Sequence, residues 1–369
     1  MAIPLVPLAQ WSGVEGRPLF IAGPCAAESE EQVHETARRL KPYRVDYFRA
    51  GIWKARTRPD NFEGIGQAAL PWLHQAGKAH GMRTATEVAT AAHVEAALSA
   101  GIDLLWVGAR TTVNPFSVQE IANALRGATV PVLVKNPTSP DLQLWLGAFE
   151  RLSQAGVRKL GAIHRGVSLM GSAPYRNAPM WGMVLEMRRL VPDVPIVCDP
   201  SHICGRRDLL SGVAQHAMDL GMDGLMLETH PQPDHAWSDA AQQVTPERFS
   251  EIMAELILRR ESPDSAAATA AIDGLRSRID RVDHELVALL AQRMKLVEEL
   301  SQEKKAYRIT ALQPARWAAV LTDRLALARR LGLDEAFTKA VYDVIHEESV
   351  RRQSTPDAVP TAGEPRARQ

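Results

Sequence analysis

The sequence contains few cysteines, no long apolar run and no excess of charge of either sign. Only three cysteines, Cys25, Cys198 and Cys204, occur among 369 residues, which is too few for a disulfide framework and is typical of the reducing cytoplasm. No stretch reaches the roughly 18 consecutive apolar residues of a transmembrane helix, so we expect no membrane span. The N-terminal residues lack the basic start and the apolar core of a signal peptide, and we expect none.

Two further absences narrow the classes of partner. Lys plus Arg and Asp plus Glu both number 43, so the net charge favours no class of partner, and we expect neither a nucleic acid nor a membrane as one. The pattern GxxxxGK[ST] does not occur, so we do not expect a P-loop nucleotide site.

Short apolar runs alternate with helical patterns through the first two thirds of the chain. Their mean spacing of about 29 residues is close to that of one βαβ unit. Eight such units predict a (β/α)8 TIM barrel over residues 1–261. A doubly wound sheet, the alternative, has fewer strands and a glycine-rich first turn, where this chain has GPCAAES. The eight runs are residues 19–25, 45–51, 83–88, 104–110, 130–136, 159–165, 194–202 and 224–230.

Charged or reactive residues follow most of these runs. In a (β/α)8 barrel the carboxyl ends of the strands form one mouth, where catalysis takes place. A single Lys or Arg at a strand end is ordinarily solvated, and a single Cys there is ordinarily a small core residue. Their joint occurrence predicts a site. The residues at these ends are Cys25, Arg49, Lys54, Arg56, Glu87, Arg110, Lys135, Arg165, Asp199, His202 and Glu228.

One part of this set has the chemistry of a metal site. Cys25, His202, Glu228 and Asp239 offer a thiolate, an imidazole and two carboxylates. Such a mixed set suits a divalent ion such as Mn, Fe, Co or Zn, with one coordination position left open. A helix cap before AAQQ is the alternative role for Asp239. His230 follows the same strand but points to its other side, so we expect it outside the ligand set.

The other part is cationic and suits phosphate. Its members exceed what one monophosphate requires, so they predict two phosphorylated substrates. They are Arg49, Lys54, Arg56, Arg110, Lys135 and Arg165.

The motifs AGPCAAES, FRAGIWKARTRP, VGARTT, LVKNP, HRG, CDPSH and LETHPQPDHAWSD, in this order over residues 15–258, resemble 3-deoxy-D-arabino-heptulosonate 7-phosphate (DAHP) synthases of the shorter barrel type. The resemblance implies the condensation of phosphoenolpyruvate with erythrose 4-phosphate. The alternative is a sister synthase that makes 3-deoxy-octulosonate 8-phosphate. Arg56-Thr57 favours the DAHP enzymes, whereas Ala55 departs from their usual proline, and His164 stands where many relatives have Glu.

This resemblance also implies a role for each site residue. Cys25, His202, Glu228 and Asp239 would hold the metal. Phosphoenolpyruvate would be bound by Arg110, Lys135 and Arg165. Erythrose 4-phosphate would be bound by Arg49, Lys54, Arg56, Thr57 and Asp199.

The last hundred residues follow a different pattern. Residues 262–271, SPDSAAATAA, predict a linker. An apolar heptad pattern from Ile272 to about Lys305 then predicts one long amphipathic helix, followed by shorter helices at 314–331 and 334–353. The Pro-rich residues 354–369 predict a disordered tail. A helical arm that only dimerises is one interpretation of this region.

Arg293 does not suit a purely apolar seam. It falls on the heptad position of Ile279 and Leu286, where a charge is costly without a counter-charge. Lys304 follows three helical turns later on the same face, so the two cations could bind one anion. Arg276 lies about 25 Å earlier along the helix and could reach only the equivalent site of an antiparallel partner.

These spacings resemble the all-helical chorismate mutases, which form intertwined dimers, over about residues 270–353. The resemblance implies that Arg276 of the partner chain and Arg293 bind the carboxylates of chorismate. Lys304 and Gln353 would donate hydrogen bonds to its ether oxygen, and Arg316 and Ser349 would complete the pocket. Trp317 stands where many relatives have Glu.

Taken together, the sequence predicts a bifunctional enzyme of aromatic amino-acid synthesis that is a homodimer or a larger homo-oligomer, with coupling between its domains. Chorismate and prephenate join the two barrel substrates as its small-molecule partners. The alternative for the helical domain is a non-catalytic module that senses chorismate or prephenate and restrains the barrel.

Overall fold

A computed structural model describes residues 3–56, 60–171, 173–259, 262–263 and 265–354. The chain divides into two compact units, with the boundary between residues 261 and 262. Thr57, which we expect to bind erythrose 4-phosphate, and residues 355–369 of the predicted tail lie outside the described residues.

The first unit is a closed barrel of eight parallel strands in sequential order, with β1 paired to β8. This confirms the predicted (β/α)8 fold, and each predicted apolar run contains one strand. The strands are β1 Leu19–Gly23, β2 Tyr47–Arg49, β3 Arg83–Val88, β4 Leu104–Val107, β5 Val132–Lys135, β6 Leu160–His164, β7 Ile196–Cys198 and β8 Gly224–Glu228.

Helices surround the strands. Several begin at a side-chain cap, as where Ser29 accepts a hydrogen bond from the backbone N–H of Gln32 and Asp141 from that of Leu144. The helices of this unit are α1 Leu8–Ser12, α2 Glu30–Leu40, α3 Leu70–His80, α4 Ala91–Ser99, α5 Ala109–Thr112, α6 Pro115–Ala124, α7 Leu142–Gln154, α8 Trp181–Leu190, α9 Pro200–Cys204, α10 Leu210–Asp219 and α11 Pro246–Glu255. Short 3-10 helices lie at Gly66–Ala69, Arg207–Leu209, Pro233–His235 and Ala240–Gln242.

Two apolar cores follow from the alternation of side chains along the strands. Outward positions pack against the helices in one large cluster. Inward positions fill the barrel, and Trp11 and Val14 of the N-terminal segment pack against them. The inward residues are Leu19, Ile21, Tyr47, Ala85, Leu104, Trp106, Leu133, Ile163, Val197 and Met226.

The same alternation continues one step beyond this apolar layer. Two residues after the last inward apolar residue of a strand, the next inward position is usually charged. Inside the barrel, a layer of charged side chains lies above the apolar layers. This is why most apolar strands are followed by a charged residue. The residues at these positions are Arg49, Glu87, Lys135, Arg165, Asp199 and Glu228.

The second unit is all-helical, with α12 Ala266–Ala306, α13 Pro314–Arg330 and α14 Glu335–Ser354. The long helix begins inside the predicted linker, so the assignment of residues 266–271 to a linker is wrong. Ser265 accepts a hydrogen bond from the backbone N–H of Ala268 and caps this helix, and the alanines that follow are strong helix formers. Among the described residues, none of the helices is long and apolar enough to cross a membrane.

Most apolar side chains on the heptad positions of α12 are exposed in the single chain. Leu275, Val282, Leu289 and Leu296 are between 56% and 62% exposed. Only Met294 and Val297 are buried apolar residues of this helix. A stable helix ordinarily buries its apolar face, so this surface has the character of an interface.

Candidate active sites

The charged layer at the barrel mouth is buried and internally paired. Arg49, Lys135, Asp199 and Glu228 are at most 3% exposed. Lys135 Nζ lies 2.9 Å from Asp199 Oδ2, and Arg49 Nη1 lies 3.3 Å from Glu228 Oε1. Both cations also lie over the ring of Trp106, at 5.7 Å and 4.9 Å from its centroid. Buried charges are tolerated only when they are paired, so this layer is fixed before any substrate arrives.

The four predicted metal ligands come together as two close pairs. Cys25 Sγ lies 3.2 Å from Asp239 Oδ2, and His202 Nε2 lies 3.8 Å from Glu228 Oε1. Lys54 Nζ is 3.0 Å from Cys25 Sγ and so sits against the first pair. In the described ranges, no three His, Cys, Asp or Glu side chains converge as ligands do around an ion.

The residues fit a metal ion in kind and in orientation. Asp199 Oδ2 lies 2.8 Å from His202 Nδ1, which leaves Nε2 of that ring for an ion. Oε1 of Glu228 is buried and has no hydrogen-bond partner among the described residues. A buried carboxylate oxygen of this kind is costly unless something binds it. The set of thiol, imidazole and carboxylates suits a borderline divalent ion.

Electrostatics at these ligands agree with a cation between them. Burial, and then the charge of Glu228, raises the pKa of Cys25 to about 12, and a bound cation would restore the thiolate. Burial acts to raise the pKa of Asp239 as well. Lys54 and Arg176, however, outweigh burial and hold the pKa of Asp239 below its usual range, so its carboxylate stays charged.

The predicted phosphate-binding cations lie around the same mouth. Arg165 Nη1 donates to Asn177 Oδ1 at 2.8 Å, and burial lowers the pKa of Arg165 to about 10, so it remains charged near neutral pH. The charge of Arg110, which is exposed on α5, also acts on Arg165. Arg56 Nη1 lies 3.2 Å from Asp239 Oδ2.

Two histidines near the strand ends lie outside the group of predicted metal ligands. His164 follows Ile163, which points into the barrel, so His164 points outward, where its ring lies 5.4 Å from that of Trp181. Its Nε2 is bound to Pro179 O. His164 therefore does not face the substrates. His230 Nε2 lies 3.4 Å from Glu28 Oε2, in agreement with its expected place outside the ligand set.

Sequence reasoning missed three polar residues that join these groups. Gln242 donates to Glu228 Oε2 and accepts from Arg176, which also binds Asp239. Asn177 accepts from Arg165 and donates to His202 O. All three lie in loops or short helical turns, so no strand period marks them in the sequence.

The helical unit brings part of its predicted site together. Arg293 Nη1 donates to Ser349 Oγ at 2.6 Å, and Gln353 Nε2 donates to Ser349 O at 3.0 Å. Lys304 Nζ donates to Ala311 O at 2.8 Å. Arg316 is exposed on α13, and the next residue, Trp317, stacks on His346 at 4.0 Å.

Arg276 is not part of this group within one chain. Its side chain is 70% exposed, and its partner among the described residues is Asp273 of the same helix, at 3.1 Å. It lies 17 residues before Arg293, about 25 Å along a straight helix. A single chain therefore holds Arg293, Ser349 and Gln353 together but leaves out Arg276.

Comparison with known proteins assigns both units. Residues 8–261, more than half of the chain, match the model described as the DAHP synthetase I family. The chain belongs to this family. In this DAHP synthetase I family member, residues 275–354 match the model described as chorismate mutase type II. The two matches support both activities in one chain, that of a bifunctional shikimate-pathway enzyme.

Relatives of known name agree with the barrel assignment. The phospho-2-dehydro-3-deoxyheptonate aldolase of Thermotoga maritima is 31% identical over 237 residues, which cover 64% of this chain and 68% of that one. Its solved structure, a DAHP synthase, is 30% identical, has a TM-score of 0.59 and matches over 65% of this chain and 68% of that one. The 2-dehydro-3-deoxyphosphooctonate aldolase of Alkalilimnicola ehrlichii is 28% identical, over 65% of this chain and 90% of that one. The DAHP synthetase I family is generally metal-dependent.

Proposed function

We propose that the barrel of this enzyme is a metal-dependent DAHP synthase that uses the residues of its charged layer, and that the helical domain is a working chorismate mutase in a homodimer. The observation that carries the first proposal is a cluster at one barrel mouth. It brings His202, Cys25 and a buried Glu228 oxygen that accepts no hydrogen bond from a described residue together with buried cations. A divalent ion bound there would act as a Lewis acid on the aldehyde oxygen of erythrose 4-phosphate.

Three cations at the mouth, of which Lys135 and Arg165 are buried, hold phosphoenolpyruvate. Arg110, Lys135 and Arg165 bind its phosphate and carboxylate, while Asp199 keeps Lys135 in place at 2.9 Å. Because the buried charges of Lys135 and Arg165 are fixed before the reaction, they stabilise developing charge without reorganising. Asp199 is itself fully buried between Lys135 and His202. We therefore assign it to orienting these two residues, beside the substrate contact expected from the sequence.

The aldehyde substrate lies on the other side of the mouth. Lys54 and Arg56 approach Cys25 and Asp239 there, and Arg49 lies beneath them against Glu228. The enol carbon of phosphoenolpyruvate forms a bond to the aldehyde carbon. Water then adds to C2, the bond from C2 to the phosphate oxygen breaks, and phosphate leaves.

A competition experiment tests which aldehyde the barrel takes. Purified protein receives phosphoenolpyruvate with equal amounts of erythrose 4-phosphate and arabinose 5-phosphate, and the two products are separated. We expect the seven-carbon product to dominate. Dominance of the eight-carbon product would favour the sister reaction, which two features keep open: the relatives named 2-dehydro-3-deoxyphosphooctonate aldolase and Ala55.

The helical domain needs no covalent chemistry for its reaction. Arg293 and Arg276 of the partner bind the carboxylates of chorismate, Lys304 and Gln353 donate to the ether oxygen, and Ser349 and Arg316 complete the pocket. Holding a compact conformer and stabilising charge separation accelerates the rearrangement. The contact between Arg293 and Ser349 and the exposed apolar face of α12 support this proposal.

Loss of chorismate, followed by absorbance, distinguishes a mutase from a sensor. The intact protein should consume chorismate, and Arg293→Ala should abolish this, because one anchoring cation is lost. Arg324→Ala is the matched control and should keep the activity, since Arg324 is a partly exposed arginine paired with its neighbour Asp323. Binding of chorismate without turnover would instead make the domain a sensor.

We also propose that the helical domain regulates the barrel, with prephenate as the effector. Cleavage in the segment between the units, before α12, should leave DAHP synthesis active but abolish its inhibition by prephenate. Unchanged inhibition after complete cleavage would contradict this coupling, because a free barrel would then respond by itself.

A further inference from the structure

Gln242 is a buried amide that lies between the two carboxylates of the metal site. It ends the 3-10 helix Ala240–Gln242, three residues after Asp239, and is 1% exposed. Its Nε2 donates to Glu228 Oε2 at 2.7 Å, and its Oε1 accepts from Arg176 Nη1, also at 2.7 Å. The same Arg176 nitrogen lies 3.0 Å from Asp239 Oδ1.

Only one orientation of this amide satisfies its neighbours. A guanidinium has only donors and an ionised carboxylate has only acceptors, so Oε1 must face Arg176 and Nε2 must face Glu228. A hydrocarbon side chain could provide neither contact. The amide of Gln242 therefore links Glu228, through Arg176, to the carboxylate of Asp239.

The consequence for Glu228 is that its two oxygens become different. Oε2 accepts a hydrogen bond from Gln242. Oε1 has no hydrogen-bond partner among the described residues and lies 3.3 Å from Arg49 Nη1 and 3.8 Å from His202 Nε2. The backbone of Glu228 is fixed as well, by pairing of β8 with β1 and by Ser201 Oγ, which accepts from Glu228 N. The side chain thus has one oxygen that accepts no hydrogen bond from a described residue and that lies near both Arg49 and His202.

We propose that Gln242 is a positioning residue for the metal ion: by binding Oε2 it presents Oε1 of Glu228 as a single-oxygen ligand, and through Arg176 it holds the loop that carries Asp239. This inference rests on the proposed metal dependence of the barrel. Residues that orient metal ligands in this way change metal affinity by about 10- to 100-fold when they are replaced.

The test is a metal titration of the full-length chain. Metal-free wild type and Gln242→Met are titrated with Co²⁺, and the absorbance of the bound ion gives both affinity and ligand geometry. Methionine matches glutamine in length, cannot donate to Glu228 and is only a weak acceptor for Arg176. Gln32→Met is the control, because Gln32 is also a buried amide, 9% exposed, but lies in α2.

We expect Gln242→Met to bind Co²⁺ about 10- to 100-fold more weakly and with an altered spectrum, while Gln32→Met matches wild type. Thermal melting in excess chelator shows whether each variant folds without metal, and Gln242→Leu serves if Gln242→Met does not. Equal affinity and equal spectra of wild type and Gln242→Met would overturn the inference and leave metal dependence standing. Failure of wild type to bind Co²⁺ would overturn both.

Discussion

In the barrel, Arg49 and Lys135 are almost completely buried and paired with carboxylates, whereas in the helical domain Arg276 and Arg316 are exposed in the single chain. Buried pairs need no second chain to hold them, because the barrel itself excludes water around them. Exposed cations on an unpartnered apolar helix gain their geometry only when another surface covers them. One chain thus pairs the charges of its barrel site by itself, whereas we expect a second chain to complete the helical site.

Removal of the metal should produce the largest difference between the activities of the two sites. The metal is proposed only for the barrel, where its Lewis acidity contributes several kcal/mol, or about 10³-fold in rate or more. We expect a chelator to abolish DAHP formation and to leave chorismate consumption unchanged, both measured on the same sample. Restoration by added Mn²⁺ controls for damage. A chelator-resistant condensation would contradict the proposed role of Cys25, His202, Glu228 and Asp239.

Lys135→Met should slow the barrel reaction relative to the helical-domain reaction by a smaller factor. It removes one buried cation from phosphoenolpyruvate, and the loss of one fixed electrostatic contact costs about 10²- to 10³-fold in rate. Steady-state rates of both reactions measure the effect, with Lys78→Met, an exposed lysine of α3, as the control. If both reactions slowed together, the substitution would have damaged the whole chain rather than the site.

Exchange of subunits tests whether the helical site is shared. Arg276→Ala and Arg293→Ala should each be inactive as mutases. In a mixed dimer, one of the two sites receives both arginines intact and the other receives neither. Random assembly on co-expression should therefore restore about a quarter of wild-type mutase activity. DAHP synthesis, which we expect to need no residue of the partner chain, should be unchanged in all three proteins.

No recovery in the co-expressed pair, with dimers present, would show that Arg276 does not cross between chains. Full activity of Arg276→Ala alone would remove this residue from the site. Either result would narrow the contrast between the domains, since the helical site would then be complete within one chain, like that of the barrel.

The sequence predicts those parts of both domains that follow from the regular spacing of apolar residues. Apolar runs about 30 residues apart indicate eight βα units, and alternation of two along a strand determines that Lys135 and Glu228 face inward. Gln242 and Asn177 carry no such signal, because their neighbours in space are set only when the barrel closes. The start of α12 could have been predicted from the sequence, because Ser265 followed by alanines is a typical capped helix start. The same small residues are also typical of a linker.

The smallest expected difference concerns acid. Burial lowers the pKa of His164 to about 4 from an ordinary 6.5, so folding favours the neutral ring. The contribution of the neutral His164 ring to the free energy of unfolding is complete above pH 6.5 and is lost as the pH falls toward 4. In the helical domain, hydrogen bonds from Arg351 and Arg352 lower the pKa of Glu348 to about 2 from 4.5. Its contribution therefore declines only between those lower values.

Acidification to pH 5 should accordingly weaken the barrel before it weakens the helical domain. Between pH 7 and pH 5 the His164 contribution falls by about 2 kcal/mol, which denaturant unfolding of wild type and His164→Gln would measure. Glutamine can still donate to Pro179 O but does not titrate, so its barrel should lose less stability over this interval. Equal losses of stability in the two proteins would mean that His164 is already solvated. The barrel histidine would then behave like the exposed charged groups of the helical domain.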